Sequence, residues 1–337
     1  MTHPFISVVI VAYKRTEFLM DAFKSVISQK IDSCEYEIII VKHFQDELMD
    51  SFFLEHKAVL VHPNCQRLGS GIVEGIKLCK GEVIAFLDDD DIFLPEKLAV
   101  VERFFHEYPE LGYYHNNHAV INKQGVASDE MPRVMKEFSK RQTFVVKHEY
   151  TINGDDKQNV TFKLERLIPD FNMSSVVIRK SIIIDKLSIL GQLESAPDTF
   201  MYFASLVSDC ALCVDSDTYT LYRIHGANTA LGLSHVSLIE YRKRFLNSLE
   251  KIREMVVLQK NKNAIEAISF RIESTLISQL ISTSYDKSRL FHMQISFLKF
   301  CRHFFSIYYV KKNFLMLLFY LSPMRTRAIY LKIMGAV

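Results

Sequence analysis

Four consecutive carboxylates, Asp88-Asp89-Asp90-Asp91, are the residues of this chain whose type and spacing most directly imply chemistry. They follow an apolar run, Glu82-Val-Ile-Ala-Phe-Leu87, and precede Ile92-Phe-Leu-Pro95. Adjacent carboxylates repel one another and are costly to leave unpaired in a partly buried loop. A divalent cation is the simplest compensation. Mn²⁺ or Mg²⁺ takes oxygen ligands and is commonly held by one or two carboxylates together with substrate phosphates. Held in that way, the ion offsets negative charge that develops on a departing phosphate group. The plainer alternative is a solvated acidic turn in which Asp91 caps a helix around Pro95-Glu-Lys-Leu98. The apolar segments on both sides argue against a free acidic tail.

The elements that must position this cluster can be read from the apolar pattern. Ile6-Ser-Val-Val-Ile-Val-Ala12 is a β-branched run suited to a strand buried on both faces. Tyr13-Lys-Arg-Thr16 interrupts it, and Thr16 is expected to cap a helix carrying Phe18, Leu19, Ala22, Phe23, Val26 and Ile27. Tyr36–Val41, Ala58–Val61 and Glu82–Leu87 read as further strands, with a helix over Gly69–Leu78. Strands alternating with helices predict βαβ units and a mostly parallel sheet. Such sheets bind ligands beyond the carboxyl ends of their strands. Two strand ends here carry polar residues: Ala12-Tyr13-Lys14-Arg15 and Asp88 to Asp91. Later segments are less regular, with a polar stretch near 123–165 and the strand-like Met173-Ser-Ser-Val-Val-Ile178. From Leu238 onward the pattern is helical.

The length of 337 residues permits one large domain or two smaller ones. A net charge of +2 gives no overall reason to expect nucleic-acid binding, and no basic patch is paired with a nucleic-acid module. The six cysteines, at 34, 65, 79, 210, 213 and 301, include one close pair, Cys210-Ala-Leu-Cys213. In an apolar stretch that pair reads as buried thiols rather than half of a zinc site, and a reducing cytoplasmic location is compatible with it. No uninterrupted apolar run reaches the length of a membrane-spanning helix.

Taken together, the segments resemble the family 2 inverting glycosyltransferases with the GT-A fold. Ser7–Arg15 with Ser25–Gln29 resembles the family's opening strand and helix, and Tyr36–Val41 its second strand. Gly75–Leu98 resembles its helix, strand and Asp-x-Asp loop. Pro197-Asp198 and Tyr222-Arg-Ile-His225 resemble its later acidic motif and closing Tyr-Arg-x-His segment. The resemblance implies an α/β GT-A domain over about 1–230 with a helical extension over 231–337. It implies transfer of a sugar from a nucleotide diphosphate donor to a hydroxyl of a glycan or lipid-linked acceptor, assisted by Mn²⁺ or Mg²⁺. Asp90 would hold the metal, with His225 as a second ligand or a diphosphate contact. Asp88 and Asp89 would lie near the ribose and metal shell, and Ala12, Tyr13 and Arg15 on the donor side. Asp198 would be the base that takes the acceptor hydroxyl's proton. A helix N-cap for Asp198 and a packed histidine for His225 are the structural alternatives.

Two departures from the family's pattern lie on the donor side. After the second strand, where the family usually carries an acidic residue that pairs with the donor's base, the chain has Lys42-His43-Phe44-Gln45-Asp46. A lysine ammonium cannot accept a hydrogen bond. Asp46 would have to substitute, or the base is not uracil. An Arg-Asn pair often seen in the helix preceding the fourth strand is replaced by Ile72-Val73. These changes favour a rival reading, a non-catalytic binding or scaffold subunit on the same fold. A nucleotidyltransferase would want a Gly-rich phosphate loop that Val9–Lys14 lacks. The segment from Lys287 to the C-terminus has nine Lys or Arg, no Asp or Glu, and dense aromatics. It would suit peripheral contact with an anionic membrane at its inner face, or packing on the domain with its basic side solvated.

Overall fold

The computed structural model describes residues 3–13, 15–32, 35–127, 144–146, 169–226, 228 and 235–283. The basic segment from 287 onward and most of the polar stretch near 123–165 lie outside them. Within the described residues the chain is mixed α/β, with a largely parallel sheet flanked by helices and a helical C-terminal region.

The first strand, β1 (Ile6–Ala12), is buried along its whole length. Val9 and Val11 join one hydrophobic cluster, and Val8, Ile10 and Ala12 join another on the opposite face of the sheet. A β-branched run that is apolar at every position is what this two-sided burial requires. Each Val or Ile so buried contributes about 1.5–3 kcal/mol relative to exposure. Parallel neighbours flank β1: β2 (Tyr36–Lys42) on one side and β4 (Val83–Asp88) on the other, with β3 (Val59–Val61) beyond β2. The helix α1 (Leu19–Ile27) begins later than expected. Its N-cap is Phe18, without a side-chain cap bond, and Thr16 is exposed. Phe18 is buried instead and packs against His225 and the Arg223 guanidinium. α2 (Glu47–Glu55) follows β2, and α3 (Leu68–Leu78) follows β3. Gly75 of α3 lets that helix sit close on the sheet, since a Cβ there would lie 2.6 Å from Val41 Cγ2. Ile72 and Val73 are buried in the same contact.

Beyond β4 the sheet becomes mixed. After the short β5 (Ile92–Phe93) and α4 (Lys97–Glu107) comes β6 (Leu111–Ile121). The strand expected at Met173–Ile178 divides into a 3₁₀ turn, Met173–Ser175, and β8 (Val176–Arg179), the latter antiparallel to both β4 and β6. Two short helices, α5 (Lys180–Ile183) and α6 (Leu187–Leu190), lead to α7 (Pro197–Leu206). The long β9 (Ala211–Arg223) runs parallel to β6 and pairs antiparallel with β5 and with β7 (Phe144–Val146). Because β4, β6 and β9 all point the same way, the end of β9 returns to the edge where β4 delivers the acidic loop. Cys210 and Cys213 are free thiols, the latter fully buried in β9.

The helices α8 (His235–Leu258) and α9 (Lys262–Thr283) pack on each other, and α8 packs on α7 and α6. Leu249, Ile252, Val256, Ala264 and Ile268 share one cluster with Val9, Val41 and Phe200. No helix among the described residues is long and apolar enough to cross a membrane.

Candidate active site

β4 ends at Asp88, and the next three carboxylates turn away from the sheet inside a shell that leaves Asp89, Asp90 and Asp91 almost fully buried. The loop is tied at each step. Asp88 N donates to Ser174 Oγ at 2.9 Å, Asp89 N to Val11 O at 3.1 Å, and Asp91 N to Asp88 O at 3.2 Å. Asp91 does not cap the following helix, which starts behind Glu96. It accepts the backbone N–H of Arg223 at 2.9 Å instead.

Three of these carboxylates, Asp88, Asp90 and Asp91, bring one oxygen each within 4.8 Å of one another. Burial, with repulsion from Asp90, Asp91 and Asp89, holds the Asp88 carboxyl well above the usual range. Burial and the charge of Asp90 push Asp91 up to about 8, although Ser174, Asn172 and the Arg223 backbone draw it down. Its Oδ2 is buried without a hydrogen bond of ordinary geometry. An all-oxygen cluster with an under-satisfied buried oxygen fits a hard divalent cation. Asp91 therefore joins Asp90 as a candidate ligand, a role the sequence alone had not suggested for it.

Arg15, just past β1, faces this cluster. Its Nη2 lies 2.7 Å from Asp89 Oδ1 and 2.6 Å from Asp90 Oδ2. Burial works against the guanidinium charge, but the hydrogen bond to Asp89 and the attraction of Asp90, Asp89 and Asp88 outweigh it. Asp89 itself is raised by burial to about 6, with Arg15 opposing the shift. His225, two residues past β9, places Nε2 3.0 Å from Asp90 Oδ2 and 2.9 Å from Arg15 Nη1. Its own N–H donates to Asn228 Oδ1 at 2.6 Å, which fixes the turn.

Arg223 was not singled out in the sequence, though it is the arginine of Tyr222-Arg-Ile-His225. It is among the largest fully buried side chains. Nε donates to Asp90 O at 2.8 Å, Nη1 to Lys123 O at 3.0 Å, and Nη2 to Asp21 Oδ2 at 3.1 Å. The guanidinium lies 4.6 Å over the Phe18 ring. It is thus the clasp that closes the acidic loop onto β9.

Asp198 opens α7 behind Pro197, at a helix start whose N-cap is Ala196 in a left-handed conformation (φ 58°). It stands in the first turn rather than at the cap, and Thr199 N donates to its Oδ1 at 2.8 Å. Burial, with the charge of Asp170 next in size, pushes its carboxyl up to about 7. It is close enough to Asp88 for the two charges to repel.

On the opposite flank, Tyr13 Oη donates to Gln66 O at 2.6 Å and its ring meets His43 edge-on at 4.9 Å. Lys42 is completely buried: Nζ lies 2.7 Å from Asp50 Oδ1 and donates to Phe44 O at 2.7 Å. Asp46 is the N-cap of α2, accepting from Met49 N at 3.0 Å. Both residues therefore have structural partners within the domain. Ala12, Arg15, Asp88, Asp89, Asp90 and His225 meet at the carboxyl ends of β1 and β4, Asp198 stands close to Asp88, Tyr13 follows β1, and Asp46 follows β2.

Residues 7–168 match the family model described as glycosyl transferase family 2. Among solved structures the chain is similar to S. aureus TarS, with a TM-score of 0.52 and 14% identity over 84% of this chain, and it spans only 44% of that one. A structure of TarS 1–349 in complex with UDP-GlcNAc gives a TM-score of 0.52 at 15% identity, covering 84% of this chain and 74% of that one. The mannosyltransferase PcManGT from Pyrobaculum calidifontis, in complex with GDP-Man and Mn²⁺, gives 0.51 at 10% identity, covering 97% and 87%. At such identities the likeness is one of fold. No curated protein matches the sequence.

Proposed function

We propose, from the match of residues 7–168 to the glycosyl transferase family 2 model, that the chain moves a sugar, with inversion, from a nucleotide diphosphate donor to a hydroxyl of a glycan or lipid-linked saccharide. The observation that carries this reading is the meeting, beyond the carboxyl end of β4, of a three-carboxylate cluster with a separate carboxylate whose pKa is pushed up to about 7. The first suits a cation and a diphosphate; the second suits a general base.

Asp88, Asp90 and Asp91 would hold Mn²⁺ or Mg²⁺, with His225 beside Asp90, and the ion when bound neutralises charge on the diphosphate. Arg15 keeps the acidic loop in register and offers positive charge next to it. Ala12 and Tyr13 form the wall at the end of β1. Asp198 takes the proton of the acceptor hydroxyl as its oxygen bonds to the anomeric carbon and the bond to the diphosphate breaks. A carboxylate with a pKa near the working pH balances availability against basicity in that step. Asp46 remains the candidate for base recognition, through the carboxylate oxygen not engaged in its cap. The complexes of TarS with UDP-GlcNAc and of PcManGT with GDP-Man and Mn²⁺ supply the donor chemistries to try first.

The test is release of nucleotide diphosphate from UDP-, GDP- and dTDP-sugars with Mn²⁺ and a lipid-linked or oligosaccharide acceptor, with the product's anomeric configuration read by NMR. One donor class should react, with inversion, and Asp198→Asn should abolish transfer. Retention of configuration would contradict the assignment of Asp198. A specific observation supports the second reading, a scaffold subunit: Lys42 is locked in a buried ion pair where the family expects a base-reading acid. That reading predicts neither turnover nor nucleotide binding.

A further inference from the structure

The route from the C-terminal helices to the proposed base is continuous. Arg271, in the middle of α9, forms a two-pronged ion pair with Asp170: Nη1 meets Oδ2, and Nη2 donates to Oδ1 at 3.1 Å. Asp170 is almost fully buried, and its Oδ2 also accepts the Thr199 hydroxyl at 2.7 Å. Thr199 N in turn donates to Asp198 Oδ1. The guanidinium of Arg271 rests over the rings of Tyr202 and Phe203, centroids 5.5 and 5.2 Å away, on the helix that Asp198 begins. A planar, bidentate cation stacked on aromatic rings has few other orientations open to it.

The same short stretch reaches the acidic loop. Two residues after Asp170, Asn172 adopts φ 72° and its side chain accepts from Ser174 N at 3.0 Å, while Ser174 Oγ accepts from Asp88 N at 2.9 Å. Tyr113 Oη donates to Pro169 O at 2.6 Å, and His115 Nε2 lies 2.7 Å from Phe171 O. Residues 169–174 thus form a bar between the two catalytic halves, pinned to β6 in the middle and clamped at its start by α9.

We propose that Arg271 is a positioning residue for Asp198: acting through Asp170 and Thr199, it holds the first turn of α7 at a set place relative to the acidic loop. This rests on the reading of Asp198 as the base. Charge follows the same route. The groups that face Asp198 are Asp170, Arg271 of α9, Asp88 of β4 and Tyr241 of α8. Asp170 raises its pKa and Arg271 lowers it. Removing Arg271 leaves Asp170 uncompensated, so Asp198 gives up its proton at higher pH. Removing the Asp170 charge does the reverse.

The experiment follows the Asp198 carboxyl by NMR in ¹³C-aspartate-labelled protein, identified by its loss in Asp198→Asn, alongside the pH profile of kcat/KM. Arg271→Met is expected to move the titration and the acidic limb upward together by about one pH unit, a roughly tenfold loss of rate below the limb. Arg271→Lys should restore most of it, Asp170→Asn should move both downward, and the double variant should return near the starting value. Thr199→Val, which leaves the ion pair intact, should lower kcat about tenfold at unchanged KM. A titration that is the same in all folded variants, or unchanged kcat in Thr199→Val, overturns the proposal. The titration needs no turnover. Shifts among the variants of a protein whose wild type transfers no sugar therefore condemn the base reading and leave the linkage standing.

Discussion

His225 Nε2 lies 3.0 Å from Asp90 Oδ2 although 135 residues separate them. The same nitrogen lies 2.9 Å from Arg15 Nη1. One nitrogen can donate to the carboxylate or accept from the guanidinium but cannot do both at once, so the two contacts compete for it. Sheet order creates the meeting: β9 runs parallel to β6, in the sense of β4, and its last residues close over the acidic loop through Arg223.

A ligand or close neighbour of the metal should reveal itself by metal-specific loss. His225→Ala is expected to weaken nucleotide binding in Mn²⁺ by about 10–100-fold, with little change in its absence. Paired titrations with and without Mn²⁺ check this. An equal loss in both conditions would mark His225 as a packing residue only.

Activity should fall on the acid side of neutrality. Asp198 must be deprotonated to accept a proton, and its carboxyl sits at about 7. The kcat/KM profile should therefore rise through a limb near that pH and be lost below it, tenfold per unit. A limb near 4 would mean that the acceptor's proton goes elsewhere.

Metal should stabilise the protein more at high pH. Asp91 titrates at about 8 when folded, against about 3.9 in an unfolded chain. Between those values the folded state binds the extra proton, so metal-free stability falls as pH rises through that window. A cation displaces the same proton and binds more tightly as pH rises. The increase in Tm from Mn²⁺ should thus be larger at pH 8 than at pH 6, and smaller in Asp91→Asn. Equal increases at both pH values would count against Asp91 as a ligand.

Lys42→Met separates structure from recognition. Nζ is buried against Asp50 and Phe44 O, so its loss strands a partly exposed carboxylate and should cost about 1–3 kcal/mol, seen as a lower Tm. Nucleotide affinity should change less than about threefold, because Nζ is engaged within the domain. A large loss of affinity with unchanged Tm would place Lys42 in the donor site after all.

What could be read from the sequence were features that repeat locally. The β-branched run of β1, the strand before Asp88 and the helix at 68–78 announce themselves within ten residues or so, and they deliver both Arg15 and the acidic loop. Features built from distant partners were not legible. The apolar spacing showed where α1 lies but not that its cap is Phe18 rather than Thr16, because Phe18 is drawn inward by Arg223, more than two hundred residues away. A helix cap was the plainer alternative for Asp91, and the N–H that its carboxylate accepts belongs instead to Arg223, more than a hundred residues away. Lys42 looked like a lost recognition residue, and only Asp50, one turn into the next helix, explains why a buried lysine is tolerated there. Nothing near Asp170 or Arg271 in sequence hints that they meet.

The central claim, that the acidic loop binds a nucleotide diphosphate through a divalent cation, is tested most directly by calorimetric titration with UDP, GDP and dTDP. Each is measured with and without Mn²⁺, on the wild type and on Asp90→Ala. Mn²⁺-dependent binding of one nucleotide class, lost in Asp90→Ala, is the predicted result. Binding of none of the three under either condition, by a protein that remains folded, would contradict it.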